Sequence, residues 1–198
     1  MYTDAKTHYD MLIDEENDPV YDPEPLKEYM NKWDGERFIE EMKLTKDKTV
    51  LEIGIGTGRL ALKVATECKT LYGIDISSKT IEKAKINLKE FDNITLIGDD
   101  FLTYDFNEKF DVIYSSLTFM HIEDKQAAIN KAASLLKENG IFVLSVDKNQ
   151  SEYIDMSTRK VKIFPDTPDM TSKHITLSGL RITHQYETEF AFVFAAKK

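Results

Sequence analysis

The stretch VLEIGIGTGRLAL, residues 50–62, decides the fold of this chain. Its first part is apolar and β-branched, as in a buried strand, and its last part has the apolar spacing of a helix. Three glycines, Gly54, Gly56 and Gly58, separate the two parts. At such a turn a Cβ would block the close approach of a ligand or forbid the backbone angles that the turn needs. The stretch therefore predicts a strand–turn–helix unit that holds a ligand at the turn.

Apolar runs alternate with helical patterns from residue 49 onward, which is typical of a parallel sheet covered by helices. The predicted strands are 49–53, 70–74, 94–97, 110–115, 140–146, 180–187 and 189–195, with one short candidate at 159–164. The predicted helices are 35–42, 58–68, 78–91, 124–137 and 169–178. Prolines at 19, 23 and 25 interrupt any helix around 14–25. We expect one α/β domain, with a helical lid segment over 1–47 and the ligand-binding core over 48–198.

The composition is that of an ordinary globular domain of 198 residues, with 41% hydrophobic and 31% charged residues. With 26 Lys and Arg against 35 Asp and Glu, the net charge of -9 disfavours a nucleic-acid partner, whose binding rewards clustered cations. No apolar run approaches the roughly 18 residues of a membrane span, and the first residues are polar, so we expect a cytoplasmic location without membrane partners. The single cysteine, Cys68, and the lack of zinc-ligand spacing predict no disulfide and no metal site.

Two carboxylates identify the kind of ligand that the glycine turn is expected to hold. Asp75 ends the second predicted strand, where a carboxylate can accept hydrogen bonds from both hydroxyls of a ribose. Glu52 lies inside the first strand, where it would repel a pyrophosphate and attract a cation. The turn also reads G-x-G-x-G, whereas the dinucleotide fingerprint is G-x-G-x-x-G. The pattern favours S-adenosyl-L-methionine, whose sulfonium and amino groups are positive, over a nicotinamide dinucleotide.

The chain resembles the class I S-adenosylmethionine-dependent methyltransferases over roughly residues 48–198. Besides the glycine turn, the matching segments are GIDIS (73–77), GDDFL (98–102), FDVIYSSLTFMHI (110–122) and LLKENGIFVLSV (135–146), in the order of the family. The resemblance implies a single doubly wound domain with helices on both faces of a mostly parallel sheet. It implies seven strands in the order 3-2-1-4-5-7-6, with the last strand antiparallel.

Carried over by position, the resemblance assigns the methionine half of the cofactor to Glu52 and the three glycines of the turn. Asp75 is expected to bind the ribose, and Ile76 to pack on the adenine. The alternative for Glu52 is a role in holding the loop without touching the ligand.

Residues after the next two strands complete the cofactor site that the resemblance implies. The Asp99 carboxylate and the backbone N–H of Asp100 are expected to hold the adenine amino group, although Asp100 could equally cap a helix. Ser115 and Ser116 end the fourth strand, where small residues leave room beneath the cofactor.

His121 is the candidate catalytic residue, because it follows the fourth strand where substrate is expected to enter. The alternative is a histidine that caps the helix beginning near Asp124. In the lid segment, Tyr9, Tyr29 or Trp33 could face the sulfonium by cation–π contact, or could serve only in packing.

Two sets of basic residues have open roles. Arg59 flanks the third glycine and is interpreted as a solvated helix residue rather than a ligand contact. Arg159, Lys160 and Lys162 form a basic run that could meet an anionic substrate, but a solvated strand face is the simpler interpretation.

The leading hypothesis is a methyltransferase that moves a methyl group from S-adenosyl-L-methionine to a small molecule by in-line displacement, leaving S-adenosyl-L-homocysteine. The alternatives are a non-catalytic protein that binds this cofactor and, less favoured by the glycine spacing, a nicotinamide-dependent oxidoreductase. Residues 115–118 read Ser-Ser-Leu-Thr and hold no proline, unlike the motif of adenine amino methyltransferases of nucleic acid.

Overall fold

A computed structural model describes residues 2–198 as two sheets covered by helices. The strands are β1 (Tyr2–Thr3), β2 (Thr49–Ile53), β3 (Thr70–Asp75), β4 (Ile94–Gly98), β5 (Phe110–Ser115), β6 (Leu136–Asp147), β7 (Tyr153–Asp155), β8 (Lys160–Lys162), β9 (Arg181–Glu187) and β10 (Ala191–Lys197). The helices are α1 (Ala5–Asp14), α2 (Glu24–Met30), α3 (Gly35–Glu41), α4 (Ala61–Val64), α5 (Ser78–Asn87), α6 (Lys125–Leu135) and α7 (Pro168–Leu177), with a short 3-10 helix at Phe119–His121.

The large sheet has the strand order β4-β3-β2-β5-β6-β10-β9. Counted along the chain, its seven strands therefore run 3-2-1-4-5-7-6, which confirms the predicted topology. β2 pairs in parallel with both β3 and β5, whereas β10 is antiparallel to β6 and to β9. The order reverses at β2, next to β5, so the carboxyl ends of these central strands form the crevice where open α/β sheets bind ligands.

Helices cover both faces of this sheet, as a doubly wound fold requires. One core contains Phe110 and Phe142 from the strands, together with Ile129 of α6 and Ile175 of α7. The other core packs α3, α4 and α5 against the opposite face, and Phe38 of α3 is fully buried in it. The central strands are apolar on both sides because each side faces a core.

Three predicted helices are clearly shorter in the structure, and one of them, predicted over 78–91, ends at Asn87. The predicted helix over 58–68 is α-helical only at Ala61–Val64, because the backbone beyond it forms tighter turns in which the N–H of Glu67 donates to the carbonyl of Val64 at 3.0 Å. The helix predicted over 124–137 ends at Leu135, because Leu136 is already extended and pairs with Phe110 of β5. β6 thus begins before Gly140, where the sequence placed its start.

The acidic N-terminal segment is attached to α5 by polar contacts. The Ser77 hydroxyl donates to the Asp10 carboxylate at 2.6 Å, and the Lys79 ammonium lies 2.6 Å from Asp14. The amide of Asn87 donates to the Asp18 carboxylate at 3.1 Å. These contacts hold α1 across the carboxyl end of the large sheet.

The other side of α1 is attached to a three-stranded sheet of order β1-β8-β7. Arg159 precedes β8, is only 2% exposed, and donates to both oxygens of Glu15 at 2.6 and 2.9 Å. Its Nε also donates to His8 at 2.9 Å. The interpretation of this residue as part of a solvated face or an anion site is therefore wrong. Lys160 is half-buried and pairs with Asp155.

We expect Arg159→Gln to loosen α1 without unfolding the large sheet. The substitution removes a two-bond contact between a guanidinium and a carboxylate, so the amides of residues 8–14 should exchange with solvent about tenfold faster. Hydrogen exchange measured by mass spectrometry checks this. Lys160→Gln, on the neighbouring residue, is the matched control and should leave α1 protected. Equal protection of α1 in the wild type and in Arg159→Gln would contradict the role of this contact.

Candidate functional site

A cavity of about 590 Å³ lies at the carboxyl ends of β2, β3, β4 and β5, with α1 across it. This volume is in the usual range of small-molecule sites. It brings together most of the residues singled out from the sequence: Tyr9, Glu52, Gly54, Gly56, Asp75, Ile76, Asp99, Asp100, Ser116 and His121. Side chains that are distant in sequence meet here because parallel strands end at the same edge of the sheet.

Four of the predicted site residues do not line this cavity. The Ser115 hydroxyl is fully buried and donates to the carbonyl of Ile53 at 2.8 Å, so it joins two strands instead of facing a ligand. Tyr29 and Trp33 pack on Phe190, with the Trp33 Nε1 donating to Asp147 at 2.7 Å. Their aromatic surface therefore covers the end of β10, which agrees with the packing alternative for these two residues. The fourth residue, Gly58, is absent from the cavity wall because it packs against Leu88.

The three glycines of the turn serve three different purposes. Gly54 has φ +77, and a Cβ there would lie 1.9 Å from Oγ1 of Thr118. The absence of a side chain at Gly54 therefore lets the turn pack closely against the loop after β5. A Cβ at Gly58 would lie 2.9 Å from Leu88, which explains why that glycine packs inward. A Cβ at Gly56 would meet nothing within 4 Å, and this residue lines the cavity. Gly56 is thus the glycine that leaves open space for a ligand.

Asp75 closes the turn by binding backbone N–H groups with both oxygens of its carboxylate. One oxygen accepts from Gly56 at 3.0 Å and the other from Ser77 at 2.9 Å. Burial raises the pKa of Asp75 above its ordinary value, and these two hydrogen bonds offset part of that effect. Each oxygen retains a lone pair, so the carboxylate can still accept hydrogen bonds from a ligand in the cavity.

Glu52 is a buried carboxyl group on the wall of the cavity, only 3% exposed. Burial raises the pKa of Glu52 to about 8, although the hydrogen bond from the Tyr114 hydroxyl at 2.7 Å and the charge of Arg59 lower it. A carboxyl group with this pKa is largely protonated at neutral pH and becomes ionised when a cation comes close. The site is therefore suited to a positively charged ligand group.

Asp34 contacts two residues of the cavity wall, and the sequence did not single it out. It is 2% exposed and forms an ion pair with Arg59, and its carboxylate also accepts from the Ser116 hydroxyl at 2.8 Å. Arg59 lines the cavity through this ion pair, so its interpretation as a solvated helix residue is wrong. The only sequence signal was an N-cap residue type directly before the predicted helix at 35–42, and Asp34 does cap α3.

The two aspartates after β4 bind the backbone of their own loop. The N–H of Asp100 donates to the Asp99 carboxylate at 2.7 Å, and the N–H of Leu102 donates to the Asp100 carboxylate at 2.8 Å. The Asp100 side chain therefore has the capping type of contact that was its alternative. Asp99 keeps one carboxylate oxygen that accepts no bond from this loop, and that side chain is exposed.

His121 lies in the cavity wall next to Tyr9 of α1. Its Nε2 is 3.0 Å from the Tyr9 hydroxyl, and the two rings meet edge to face. Burial lowers the pKa of His121 to about 4, so the imidazole is neutral at physiological pH. α6 is capped by Asp124, whose carboxylate accepts from Ala127, so the alternative of a capping histidine is wrong.

No helix within residues 2–198 has both the length and the apolar character needed to cross a membrane.

Comparison with known proteins places this chain in a family. Residues 44–190 match the family described as "Methyltransferase domain". An uncharacterized methyltransferase of Anoxybacillus flavithermus is 28% identical over 190 residues, which cover 87% of this chain and 88% of the relative. One of Geobacillus sp. (strain WCH70) is 33% identical over 166 residues, or 75% and 77% of the two chains. N-methyltransferase NodS from Bradyrhizobium japonicum, solved with S-adenosyl-L-homocysteine, has the same fold, with a TM-score of 0.77 and 17% identity over 99% of both chains.

We expect Glu52→Gln to stabilise the protein at neutral pH. An acid whose pKa is raised by folding destabilises the folded state at every pH above its unfolded pKa of 4.5. This penalty grows with pH and becomes constant above about pH 8. Glutamine keeps an acceptor for Tyr114 but carries no charge, so the variant should gain roughly 1–3 kcal/mol at pH 7. Urea unfolding at pH 4 and pH 7 measures this difference. A gain as large at pH 4 as at pH 7 would contradict the raised pKa.

Proposed function

This chain belongs to the methyltransferase-domain family, and from that premise we propose that it transfers a methyl group from S-adenosyl-L-methionine to a small molecule. The observation that carries the proposal is the combination of Glu52, Asp75 and the open position at Gly56 in one cavity. A buried carboxyl group suits the positive methionine end of this cofactor, and a carboxylate at the next strand end suits its ribose.

The residues present fit this cofactor by their chemistry. The space beside Gly56, which a Cβ would occupy, admits a ligand against the backbone. Thr57 lines the same cavity, and its buried hydroxyl has no hydrogen-bond partner within residues 2–198. Asp75, by contrast, keeps acceptor capacity toward the cavity. The cavity therefore offers polar groups together with open space at the backbone, which suits the amino-acid end and the nucleoside of this cofactor.

We assign the cofactor's parts to residues in the order of the strands. Glu52 and Gly56 would hold the methionine end, and Asp75 the ribose hydroxyls. Ile76, which is 41% exposed and lines the cavity, would pack on the adenine. The carboxylate oxygen of Asp99 that accepts no bond from its own loop would accept a hydrogen bond from the adenine amino group. The N–H of Asp100 would become available to the adenine only after its hydrogen bond to Asp99 breaks.

The bound cofactor supplies a methyl group on a positively charged sulfur, so its transfer is an in-line displacement in which the protein needs mainly to align the acceptor. Alignment alone can contribute about 7–11 kcal/mol. α1 and its Tyr9 cover the cavity and keep water away from the acceptor. His121 is neutral at physiological pH and would take the proton that the acceptor loses.

Binding calorimetry tests the cofactor assignment. We expect S-adenosyl-L-methionine and S-adenosyl-L-homocysteine to bind with micromolar affinity, and Asp75→Ala to weaken both by about 1.5–3 kcal/mol through lost charge-assisted hydrogen bonds. Asp92→Ala, at an exposed acid outside the cavity, is the control and should bind as the wild type does. Binding of a nicotinamide dinucleotide in place of these two ligands would refute the proposal.

A screen with labelled methyl donor tests the role of His121. With any acceptor found, His121→Gln should lower the transfer rate on the order of a hundredfold and leave S-adenosyl-L-homocysteine affinity unchanged. His174→Gln is the matched control, because His174 contacts Gln126 on the far side of α6. An unchanged rate in His121→Gln would remove this residue from proton transfer. Cofactor binding without methyl transfer to any acceptor would favour a non-catalytic role for the protein.

A further inference from the structure

A second cavity, of about 790 Å³, adjoins the cofactor cavity. We propose that it receives the methyl acceptor, and that this acceptor is a small amphoteric molecule carrying an amine and an acidic group on an aromatic body. The inference rests on the proposed function, because it deepens the same site. It is carried by the position of the cavity, by the rings that line it and by two charges that have no ion-pair partner within residues 2–198.

The position of the second cavity suits an acceptor. Ala5 and His121 belong to the walls of both cavities, so a molecule in the second cavity lies next to the first. The Tyr9 hydroxyl, 3.0 Å from Nε2 of His121, faces that shared wall from α1. Ala5 offers only a methyl group at this boundary, which leaves room for the reacting end of an acceptor. A neutral imidazole at the same place is in position to take a proton from it.

Apart from Ala5 and His121, the walls of the second cavity come from residues that do not line the first cavity. They are β1, the first turn of α1, and residues 152–164 around β7 and β8. Three aromatic rings lie here: Tyr2 and Tyr153 meet edge to face at 6.3 Å, and Phe164 lines the same cavity. Tyr2 is 73% and Tyr153 37% exposed, so these rings offer apolar surface that an aromatic ligand would cover.

Two opposite charges line this cavity without partners. Within residues 2–198, neither Lys162 nor Glu152 forms an ion pair, although both are exposed. The Lys162 ammonium lies 4.6 Å from the centre of the Phe164 ring. Lys160 lies two residues earlier on β8 and, by contrast, forms an ion pair with Asp155 at 3.4 Å.

The third charge in the wall is already satisfied. The oxygens of Asp4 accept from the N–H and the hydroxyl of Thr7, at 2.8 and 3.0 Å. Within residues 2–198, one cation and one carboxylate of this wall therefore remain without an ion-pair partner. A molecule with an acidic group for Lys162 and an amine for Glu152 complements both, and its aromatic body would lie on the exposed rings.

Three probes with the same ring separate these requirements: L-phenylalanine, phenethylamine and hydrocinnamate. Each is titrated into the full chain saturated with S-adenosyl-L-homocysteine, and backbone nitrogen–proton spectra record which residues shift. We expect shifts in residues 2–7 and 152–164, and about three- to tenfold tighter binding of phenylalanine than of either singly charged probe.

Charge-removing variants assign each group to its partner. Lys162→Gln should reduce phenylalanine to the affinity of phenethylamine, and Glu152→Gln to that of hydrocinnamate. Lys160→Gln is the control and should preserve the order of the three probes, because Lys160 is outside the cavity wall and paired.

The outcomes distinguish this inference from the function on which it rests. Shifts around Gly56 and Asp75 with S-adenosyl-L-homocysteine, but none from any probe in residues 2–7 and 152–164, overturn the acceptor site alone. Equal affinity for the three probes, or an order unaffected by Lys162→Gln and Glu152→Gln, overturns the amphoteric class. The absence of shifts with S-adenosyl-L-homocysteine overturns the proposed function and, with it, the acceptor role.

Discussion

The close contact between Gly54 and Thr118 is the constraint on which the site depends. It joins the turn after β2 to the loop after β5, because a side chain at Gly54 would overlap Thr118. The same loop holds Leu117 at φ +58, a backbone conformation that non-glycine residues rarely adopt and that surrounding contacts must stabilise. With these two loops fixed against each other, the carboxyl ends of the central strands cannot separate, and a cavity remains beside Gly56.

At the carboxyl edge of the large sheet, charged partners stabilise buried acidic groups that the backbone alone would not stabilise. Glu52 is buried at a cost to stability, and Arg59, which is itself held by Asp34, reduces that cost. Asp34 comes from the N-terminal segment, so this segment contributes to the charge balance of the glycine turn as well as covering it. A cationic ligand group beside Glu52 would favour the ionised carboxylate and offset this cost.

The excess of acidic residues has a structural explanation beyond solubility. Asp10, Asp14 and Asp18 contact α5, and Glu15 contacts Arg159, so part of the negative charge near the N-terminus attaches α1 to both sides of the cavity. Composition alone could not show this, because a charged residue on a solvated face and one in a contact between two elements are identical in sequence. Within the basic run, Arg159 was misinterpreted for the same reason, because it is buried, whereas Lys162 is exposed as the interpretation of a solvated face predicts.

The order of the seven strands was implied by the resemblance to a known family. The sequence by itself determined the seven strands, the glycine turn and the acids that end the strands, because strand periodicity and turn chemistry are local properties. Their meeting at one edge then follows from the parallel topology. Only the tertiary structure decided which glycine faces open space, that Tyr29 and Trp33 cover β10, and that Asp34 and Arg59 belong to the site. Each of these depends on which side chains face each other across separate elements, such as Ser116 and Asp34. Such pairings are fixed by packing between elements, which no periodicity within one element records.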